Sequence, residues 1–352
     1  MPTKKWSHLV KPLEVKDGPA GLYPASRIWG GGKEWEDFQG HFSYGFLQKA
    51  GEVCHPVEGA VVHPYDEVLV CAGTNFSNIL DLGGEMSIEM GEEREEYVFD
   101  RSQVICIPRG TPHGALKVRK IGERPIAHYL WGLAPEYKAE IITEKSLPPK
   151  TTGTKYSHMV KLLRSYMDPM KSLEMIRKGM KPEDLAKFEQ VYAERAKAQG
   201  RSGTGMGYEA LADESGILRP NGVMGPGNAD QLLWLFGEDL NNFDFNFLWT
   251  FCSATGIWHR VADGHYHPEP EVLIFVGFNP DDLYDLGAGC EVHMGTEFEG
   301  HRFSKPTALI MPAGFVHLPE VTLWVDRPYA FLVGCLSGTH EAPWVNEEDF
   351  AD

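Results

Sequence analysis

The sequence of 352 residues contains no run of 18 apolar residues, the length that a helix needs to cross a bilayer. Residues 1–8 include no apolar stretch of the kind found in secretory signal peptides. Positive charge is scarce, since 33 lysines and arginines stand against 50 acidic residues, and the formal net charge is −17. We therefore expect a cytoplasmic protein with neither a membrane nor a nucleic acid as its partner.

Cysteine is also sparse, and none of the six cysteines belongs to a Cys-x-x-Cys pair. Most of them stand inside apolar, strand-like runs such as residues 104–107. This placement predicts buried, reduced thiols rather than disulfides. The six are Cys54, Cys71, Cys106, Cys252, Cys290 and Cys335.

Most of the remaining chain consists of short runs of Val, Ile, Leu and aromatic residues separated by Gly, Pro and Asn. Residues 67–71, 271–276 and 329–333 are examples. Runs of this length and spacing are typical of antiparallel sandwiches and small barrels. The sequence therefore predicts an all-β fold.

The chain repeats itself. Residues 63–113 align without a gap to residues 267–317, with 18 identities in 51 positions and a constant offset of 204. Upstream, residues 5–11 resemble residues 155–161 at an offset of only 150. A tandem duplication with about 54 extra residues in the second copy explains both offsets. We predict two domains, at 1–150 and 151–352.

The extra residues fall at about 168–221 and are predicted to be helical. Proline and acidic residues open the run at 182–188, and apolar residues recur at spacings of three and four. A glycine-rich stretch follows at 200–207. This insertion is either a surface excursion or a lid over the second copy's site.

The second copy contains a set of candidate metal ligands. His265, His267 and Glu271 lie at even spacings, so in an extended strand they face the same side. His317 follows a Pro-x-Gly turn and must come from another strand. Three imidazoles and one carboxylate suit Fe, Mn, Zn, Ni, Co or Cu, without distinguishing among them.

The first copy has His63, Glu67 and His113 at the corresponding positions, but Val61 stands where the second copy has His265. A valine side chain cannot bind a metal ion. We therefore expect one metal ion per chain, with weak binding or none in the first copy.

These residues resemble the two motifs of the cupin superfamily. The first motif is His265-x-His267-x-x-x-Glu271 with Gly277, the second is Pro312-x-Gly314-x-x-His317, and the duplication resembles the bicupins. The resemblance implies two tandem cupin barrels of the double-stranded β-helix, or jelly-roll, kind. It also implies that His265, His267, Glu271 and His317 are the metal ligands.

A cupin ligand set leaves coordination positions for water, dioxygen or a substrate. The resemblance, which extends to aromatic-ring dioxygenases and oxalate decarboxylases, implies an enzyme with one divalent metal, Fe or Mn being favoured. Its substrate would be a small oxygenated or aromatic molecule that chelates the metal, and an oxygenase is the leading class. One alternative is a non-redox isomerase, decarboxylase or hydrolase that stabilises an enolate. The other is a binding or storage protein without catalysis, and the chain is a possible homo-oligomer.

Three further residues are candidates for catalysis. His259 and Arg260 precede the ligand strand and could contact a substrate, although packing at a barrel rim is the ordinary role of such residues. His293 stands where the first copy has Glu89, and it could exchange protons if its strand directs it inward. The competing interpretation is a histidine that faces solvent.

Overall fold

The computed structural model describes residues 4–76, 78–164, 186, 228–258, 264–340 and 344–345. Within these ranges the regular elements are strands and four short 3₁₀ helices, which confirms the predicted all-β fold. No helix among the described residues is both long enough and apolar enough to cross a membrane. The predicted helical insertion at 168–221, with its glycine-rich stretch, lies outside the described residues apart from residue 186.

Fourteen strands precede the insertion. They are β1 (Val10–Pro12), β2 (Glu14–Lys16), β3 (Arg27–Gly32), β4 (Phe38–Leu47), β5 (Val53–Cys54), β6 (Ala60–Val62), β7 (Glu67–Gly73), β8 (Asp81–Met90), β9 (Glu95–Arg101), β10 (Gln103–Ile107), β11 (His113–Ile121), β12 (Ile126–Gly132), β13 (Glu140–Ile142) and β14 (Val160–Leu162). The four 3₁₀ helices are Ser7–Leu9, Lys33–Trp35, Glu144–Ser146 and Ser157–Met159.

Eleven further strands follow the insertion among the described residues. They are β15 (Ala229–Leu235), β16 (Asn246–Cys252), β17 (Gly256–Ile257), β18 (Gly264–His265), β19 (Glu271–Gly277), β20 (Ala288–Met294), β21 (Glu299–Phe303), β22 (Thr307–Met311), β23 (His317–Val325), β24 (Tyr329–Cys335) and β25 (Trp344–Val345).

The first barrel consists of two antiparallel sheets. One has the strand order β14-β10-β7-β12-β4-β3-β2, and the other has the order β13-β6-β11-β8-β9 with β5 paired to β11. Strands of both sheets send apolar side chains into one core, including Leu69 and Leu130 from the first and Ile88 and Leu116 from the second. The apolar runs seen in the sequence are therefore the inner faces of a closed sandwich.

The second barrel repeats this arrangement among the described residues, except that β2 has no counterpart there. Its sheets have the orders β1-β22-β19-β24-β16-β15 and β21-β20-β23-β18-β25, with β17 paired to β23. Along β23 the inward residues alternate with partly exposed ones, as expected for a strand with one buried face. The register matches the first barrel, since His317 pairs with His265 as His113 pairs with Val61.

Each barrel takes its edge strand from the arm that precedes the other barrel in the sequence. Strand β1 pairs with β22 of the second barrel, and β14 pairs with β10 of the first. The compact units are accordingly 13–163 with 279–284, and 1–12 with 164–278 and 285–352. The predicted division at residue 150 does not include this exchange of arms.

Polar contacts repeated in both arms hold these edge strands in place. The hydroxyl of Tyr156 donates to Oε2 of Glu93 at 2.6 Å in the first barrel. In the second, Nε1 of Trp6 donates to Oε2 of Glu297 at 3.2 Å. This pairing gives a structural reason for the glutamate that both copies share.

The second barrel has a polar group in its core where the first is apolar. Glu320 is 1% exposed, and the hydroxyl of Tyr329 donates to its Oε1 at 3.3 Å. That hydroxyl also contacts Oγ1 of Thr322 at 2.7 Å. Burial raises the pKa of Glu320 to about 8, although the tyrosine hydroxyl opposes the shift. Strand pairing places Leu116 of the first barrel at the position of Glu320.

Stability of the second barrel is expected to fall with rising pH because of Glu320. Its carboxyl is protonated in the folded chain below a pKa of about 8 but ionises in the unfolded chain above its ordinary pKa of 4.5. The free energy of unfolding should therefore decrease by about 1.4 kcal/mol per pH unit between these values. Glu320→Gln should remove this component in urea unfolding of metal-free protein at pH 5.5, 6.5 and 7.5.

Glu123→Gln, which changes an exposed carboxyl, serves as the matched control and should keep the wild-type pH dependence. A Glu320→Gln protein whose unfolding free energy follows pH as steeply as the wild type would show that Glu320 is ionised in the fold.

Candidate metal centres

The second barrel brings its four predicted ligands together. His265 ends β18, Glu271 begins β19, His317 begins β23, and His267 lies in the turn between β18 and β19. All four side chains are at most 5% exposed. One ligand atom from each lies within 4.8 Å of the others, which is the spacing of a metal site.

The carboxylate of Glu271 is the charged centre of this group. Its Oε1 lies 2.8 Å from Nε2 of His317, and its Oε2 lies 3.3 Å from Nε2 of His267. Burial acts to raise the pKa of Glu271, but the two imidazoles outweigh that effect and hold the pKa well below its usual range. The buried side chain is therefore ionised and available as a ligand.

A β-bulge helps to aim the histidine that begins β11 in the first barrel and β23 in the second. The register of β11 shifts between Gly114 and Lys117, and that of β23 shifts just after His317. Bulges of this kind turn a side chain out of the regular alternation. In both barrels the histidine before the shift points at the glutamate of its own set.

The first barrel also has four side chains in ligand positions, and the fourth is His55. It follows β5 and takes the place that Val61 leaves open beside His63, Glu67 and His113. Nε2 of His55 lies 3.0 Å from Oε2 of Glu67 and 3.2 Å from Nε2 of His113. The sequence analysis expected three ligands here, because it considered only the motif positions.

One signal in the sequence could have identified His55. The repeat offset of 204 maps it onto His259, so both copies have a histidine at this point. The strand pairings agree, since Val53 pairs with Lys117 as Ile257 pairs with Val321. The strand pairing by itself therefore shows that His55 and His259 occupy corresponding positions in the sequence, without reference to the cupin motifs.

Hydrogen bonds to carbonyl groups fix which ring nitrogen is free in His63, His113 and His317. Nδ1 of His63 lies 2.7 Å from the carbonyl oxygen of Lys138, and Nδ1 of His113 lies 3.1 Å from that of Thr111. Because a carbonyl only accepts, both Nδ1 atoms carry the proton and both Nε2 atoms present lone pairs. His317 has the same arrangement with the carbonyl of Phe315 at 3.0 Å.

Lone pairs and a carboxylate that face one another at about 3 Å repel unless a cation lies between them. Burial lowers the pKa of His63 to about 4 and also lowers the pKa of His55, so protonated imidazoles do not supply the positive charge. The donor sets therefore fit a divalent metal ion of the kind bound by imidazole and carboxylate. The prediction of a divalent metal ion is therefore confirmed, and the assignment of His265, His267, Glu271 and His317 as its ligands stays a prediction.

The second ligand set opens into a cavity within its barrel. The cavity offers about 50 Å³ to the centres of water-sized molecules, several times the 10–15 Å³ that one water needs. Its walls are mostly apolar and aromatic, and its polar lining consists of the four ligands and His340. The apolar lining includes Leu232, Trp234, Leu248, Trp258, Phe331 and Val333.

His340 is a site residue that the sequence analysis did not find. Its ring lies 4.4 Å from that of His267 and 4.7 Å from that of Trp234. It belongs to a second candidate group with Glu271 and Cys335. Burial holds the pKa of Cys335 well above its usual range, so that thiol is neutral and a poor ligand. A histidine in a loop after β24 has no spacing signal that links it to the motifs.

Of the three predicted catalytic residues the structure describes only His293, which does not line the cavity. His293 lies on the partly exposed face of β20, and its Nε2 is 3.0 Å from Oε1 of Glu291. It therefore pairs with a neighbouring carboxylate on the side of the strand away from the core. His259 and Arg260 lie outside the described residues, and their catalytic role stays a prediction.

All six cysteines are buried and free, as expected.

No family profile matches the sequence, and no curated protein matches it. Solved structures of oxalate decarboxylase from Bacillus subtilis do resemble the fold. The alignment with the enzyme at pH 4.6 covers 95% of this chain and 76% of the enzyme's chain, with 9% identity and a TM-score of 0.49. A two-residue deletion mutant covers 95% and 77%, with 9% identity and a TM-score of 0.50. A tryptophan-to-tyrosine variant covers 95% and 79%, with 10% identity and a TM-score of 0.49.

The chain has the bicupin fold. Its two barrels, their equivalent strands and the ligand cluster in each agree with the architecture predicted from the repeat. At 9–10% identity the likeness to oxalate decarboxylase concerns the fold and leaves the reaction open.

His267→Ala should abolish metal binding in the second barrel, because it removes one of four donors and leaves a buried carboxylate underpaired. The measurement is elemental analysis after dialysis against a weak chelator, with free Mn²⁺ followed by electron paramagnetic resonance. His293→Ala, which changes the outward histidine, is the control and should retain the wild-type metal content. Equal metal content in wild type and His267→Ala would refute the assignment of these ligands.

Proposed function

We propose that the chain is a metal-dependent enzyme whose reaction takes place in the cavity of the second barrel. One observation carries this proposal: four buried ligands converge at a cavity that is large enough for a small molecule. Structural metal sites are ordinarily closed and rich in cysteine, whereas this donor set is open on one side. A binding or storage protein without catalysis, the alternative predicted from the sequence, would be favoured by bulky side chains that fill the site. The cavity argues against that alternative.

The cavity lining indicates the class of substrate. Among the described residues the cavity is lined by no lysine or arginine, and most of its lining is apolar. Trp258 and Phe331 instead form an aromatic wall, with their rings 4.7 Å apart and edge to face. We infer a substrate with an oxygen-bearing head that chelates the metal and an apolar or aromatic body.

Fe(II) and Mn(II) are the ions we propose for this site. A solved structure of oxalate decarboxylase is described with reference to the Mn(II) centres of that enzyme. When bound, either ion would supply Lewis acidity and a site where a chelating substrate and dioxygen can meet. The protein would contribute the ionised Glu271, the hydrogen bond that orients His317, and apolar walls that exclude water.

We propose an oxygenase reaction, with a non-redox decarboxylation or isomerisation as the second candidate. Dioxygen consumption separates the two. Protein loaded with Fe(II) or Mn(II) would be incubated with a panel of catechols, β-diketones and oxalate, in air and under argon. An oxygenase consumes one O₂ per product and is inactive under argon. Product formed equally under argon would replace it with the non-redox candidate, and no turnover by any loaded form would refute an enzyme of either kind.

Binding of a coloured chelator should report the preference of the cavity directly. We expect 4-nitrocatechol to bind the Mn-loaded protein at least tenfold more tightly than oxalate, because its ring replaces water against the aromatic wall. The measurement is a titration of the visible absorption band, with oxalate as competitor. Tighter binding of oxalate would contradict the substrate class.

His340 is expected to contact the substrate rather than the metal. His340→Gln should keep the Mn²⁺ affinity of the second barrel within threefold of wild type. It should weaken 4-nitrocatechol binding about tenfold, because a hydrogen bond to a charged oxygen is lost. His301→Gln, a buried histidine of the same barrel that pairs with Glu299, is the matched control. Loss of metal in His340→Gln alone would make His340 a ligand.

A further inference from the structure

A chain of buried hydrogen bonds leads away from His55 in the first barrel. Nδ1 of His55 lies 3.3 Å from the hydroxyl of Tyr23, and that hydroxyl lies 3.1 Å from Nε2 of His128. Nδ1 of His128 lies 3.1 Å from the carbonyl oxygen of Val70. His55, Tyr23 and His128 are at most 9% exposed.

The carbonyl at the end of this chain determines the direction of every bond in it. Because the Val70 carbonyl only accepts, His128 donates from Nδ1, and burial holds its pKa well below its usual range. Neutral His128 therefore accepts at Nε2, so the Tyr23 hydroxyl donates to it. The Tyr23 oxygen then accepts from Nδ1 of His55. This leaves the lone pair of His55 on Nε2, directed at Glu67 and His113.

Arg27 contacts two members of this series of hydrogen bonds, Tyr23 and His128. Its guanidinium lies over the Tyr23 ring at 3.8 Å and donates to the His128 carbonyl oxygen at 2.8 Å. Its Nε also donates to Oγ of Ser43. In the second barrel the strand register places Leu232, Leu248 and Phe331 at the positions of Arg27, Ser43 and His128. The polar chain therefore belongs to the first barrel, which uses a ligand outside the cupin motif.

The backbone conformation at His55 is unusual and is consistent with a functional role for this residue. Its φ is +51°, in the left-handed region that residues other than glycine rarely adopt. Such a conformation is costly and persists where the surroundings fix it. Here it turns the imidazole from the end of β5 toward the group of His63, Glu67 and His113.

We infer that the first barrel holds a second metal ion through His55, His63, Glu67 and His113, and that Tyr23 and His128 are positioning residues which make His55 a ligand. The inference does not depend on the reaction proposed for the second barrel. It replaces the expectation of one ion per chain, which rested on Val61, with an expectation of two.

The test uses the full chain with His267→Ala, so that the first barrel is measured alone. Metal-free protein is titrated with Mn²⁺, and free Mn²⁺ is followed by electron paramagnetic resonance. One ion per chain is expected. Adding His55→Ala should weaken binding by more than 100-fold, and adding Tyr23→Phe should weaken it 10- to 100-fold and change the Mn(II) spectrum. Tyr44→Phe removes another buried tyrosine hydroxyl of the same barrel and should change neither.

A rescue experiment separates positioning from a general effect on the fold. Val61 pairs with His113 as His265 pairs with His317, so Val61→His in the His55→Ala protein should restore binding to within tenfold of the parent. In that rescued protein Tyr23→Phe should have no further effect, because Tyr23 acts through His55. His128→Phe breaks the chain one bond further out and should weaken binding in the parent about tenfold.

No ion bound by His267→Ala would overturn the second metal site. Unchanged affinity in both Tyr23→Phe and His128→Phe would overturn the positioning role while keeping His55 as a ligand. Weakening by Tyr23→Phe that persists in the rescued protein would also overturn it, because the tyrosine would then support the barrel as a whole.

Discussion

A buried glutamate ringed by the lone pairs of imidazoles is the constraint on which both halves of this molecule depend. Glu67 and Glu271 are each at most 1% exposed, and each faces histidine nitrogens at 2.8–3.5 Å. Desolvating such a carboxylate costs several kcal/mol unless positive charge compensates it. The barrels supply the geometry, since three strands and a turn bring each set to one point, and carbonyl groups orient His63, His113 and His317 so that Nε2 faces inward. A metal ion would complete this arrangement.

The two barrels meet this constraint with different residues. The second barrel pairs His265 directly across from His317. The first has lost the equivalent side chain at Val61 and brings His55 in from a neighbouring strand. The surroundings of the two ligand sets also differ. In the first barrel Tyr23, His128 and Arg27 form a hydrogen-bonded network behind His55, whereas apolar residues line the cavity of the second barrel. The duplicated fold thus carries one ligand set with a polar scaffold behind it and one that opens onto space for a substrate.

The sequence alone was sufficient for the fold and for the second ligand set, because both rest on regular spacing. The spacing predicted that His265, His267 and Glu271 meet, although the structure places them on β18, the following turn and β19 and not on one strand. The offset of 204 aligns the central strands of the two barrels. His55 was missed because its contribution depends on a left-handed backbone turn at the end of β5, which no spacing rule describes. His340 was missed because it reaches the cavity from a loop. The two offsets reflect the insertion and gave no sign of the exchange of arms, in which β1 and β14 are edge strands of opposite barrels.

The two barrels also differ in which core positions hold buried polar groups. The first barrel has Arg27 and His128 where the second has Leu232 and Phe331, yet the second has Glu320 and Thr322 where the first has Leu116 and Val118. These two buried polar clusters therefore occupy different positions in the two barrels. Around the first metal centre the cluster directs a histidine. Under the cavity of the second, a protonated Glu320 and Tyr329 form a polar layer while the walls near the ligands stay apolar. Keeping polarity away from those walls preserves the low-dielectric space in which a chelating substrate would be held, and this links the asymmetry of the cores to the asymmetry of the sites.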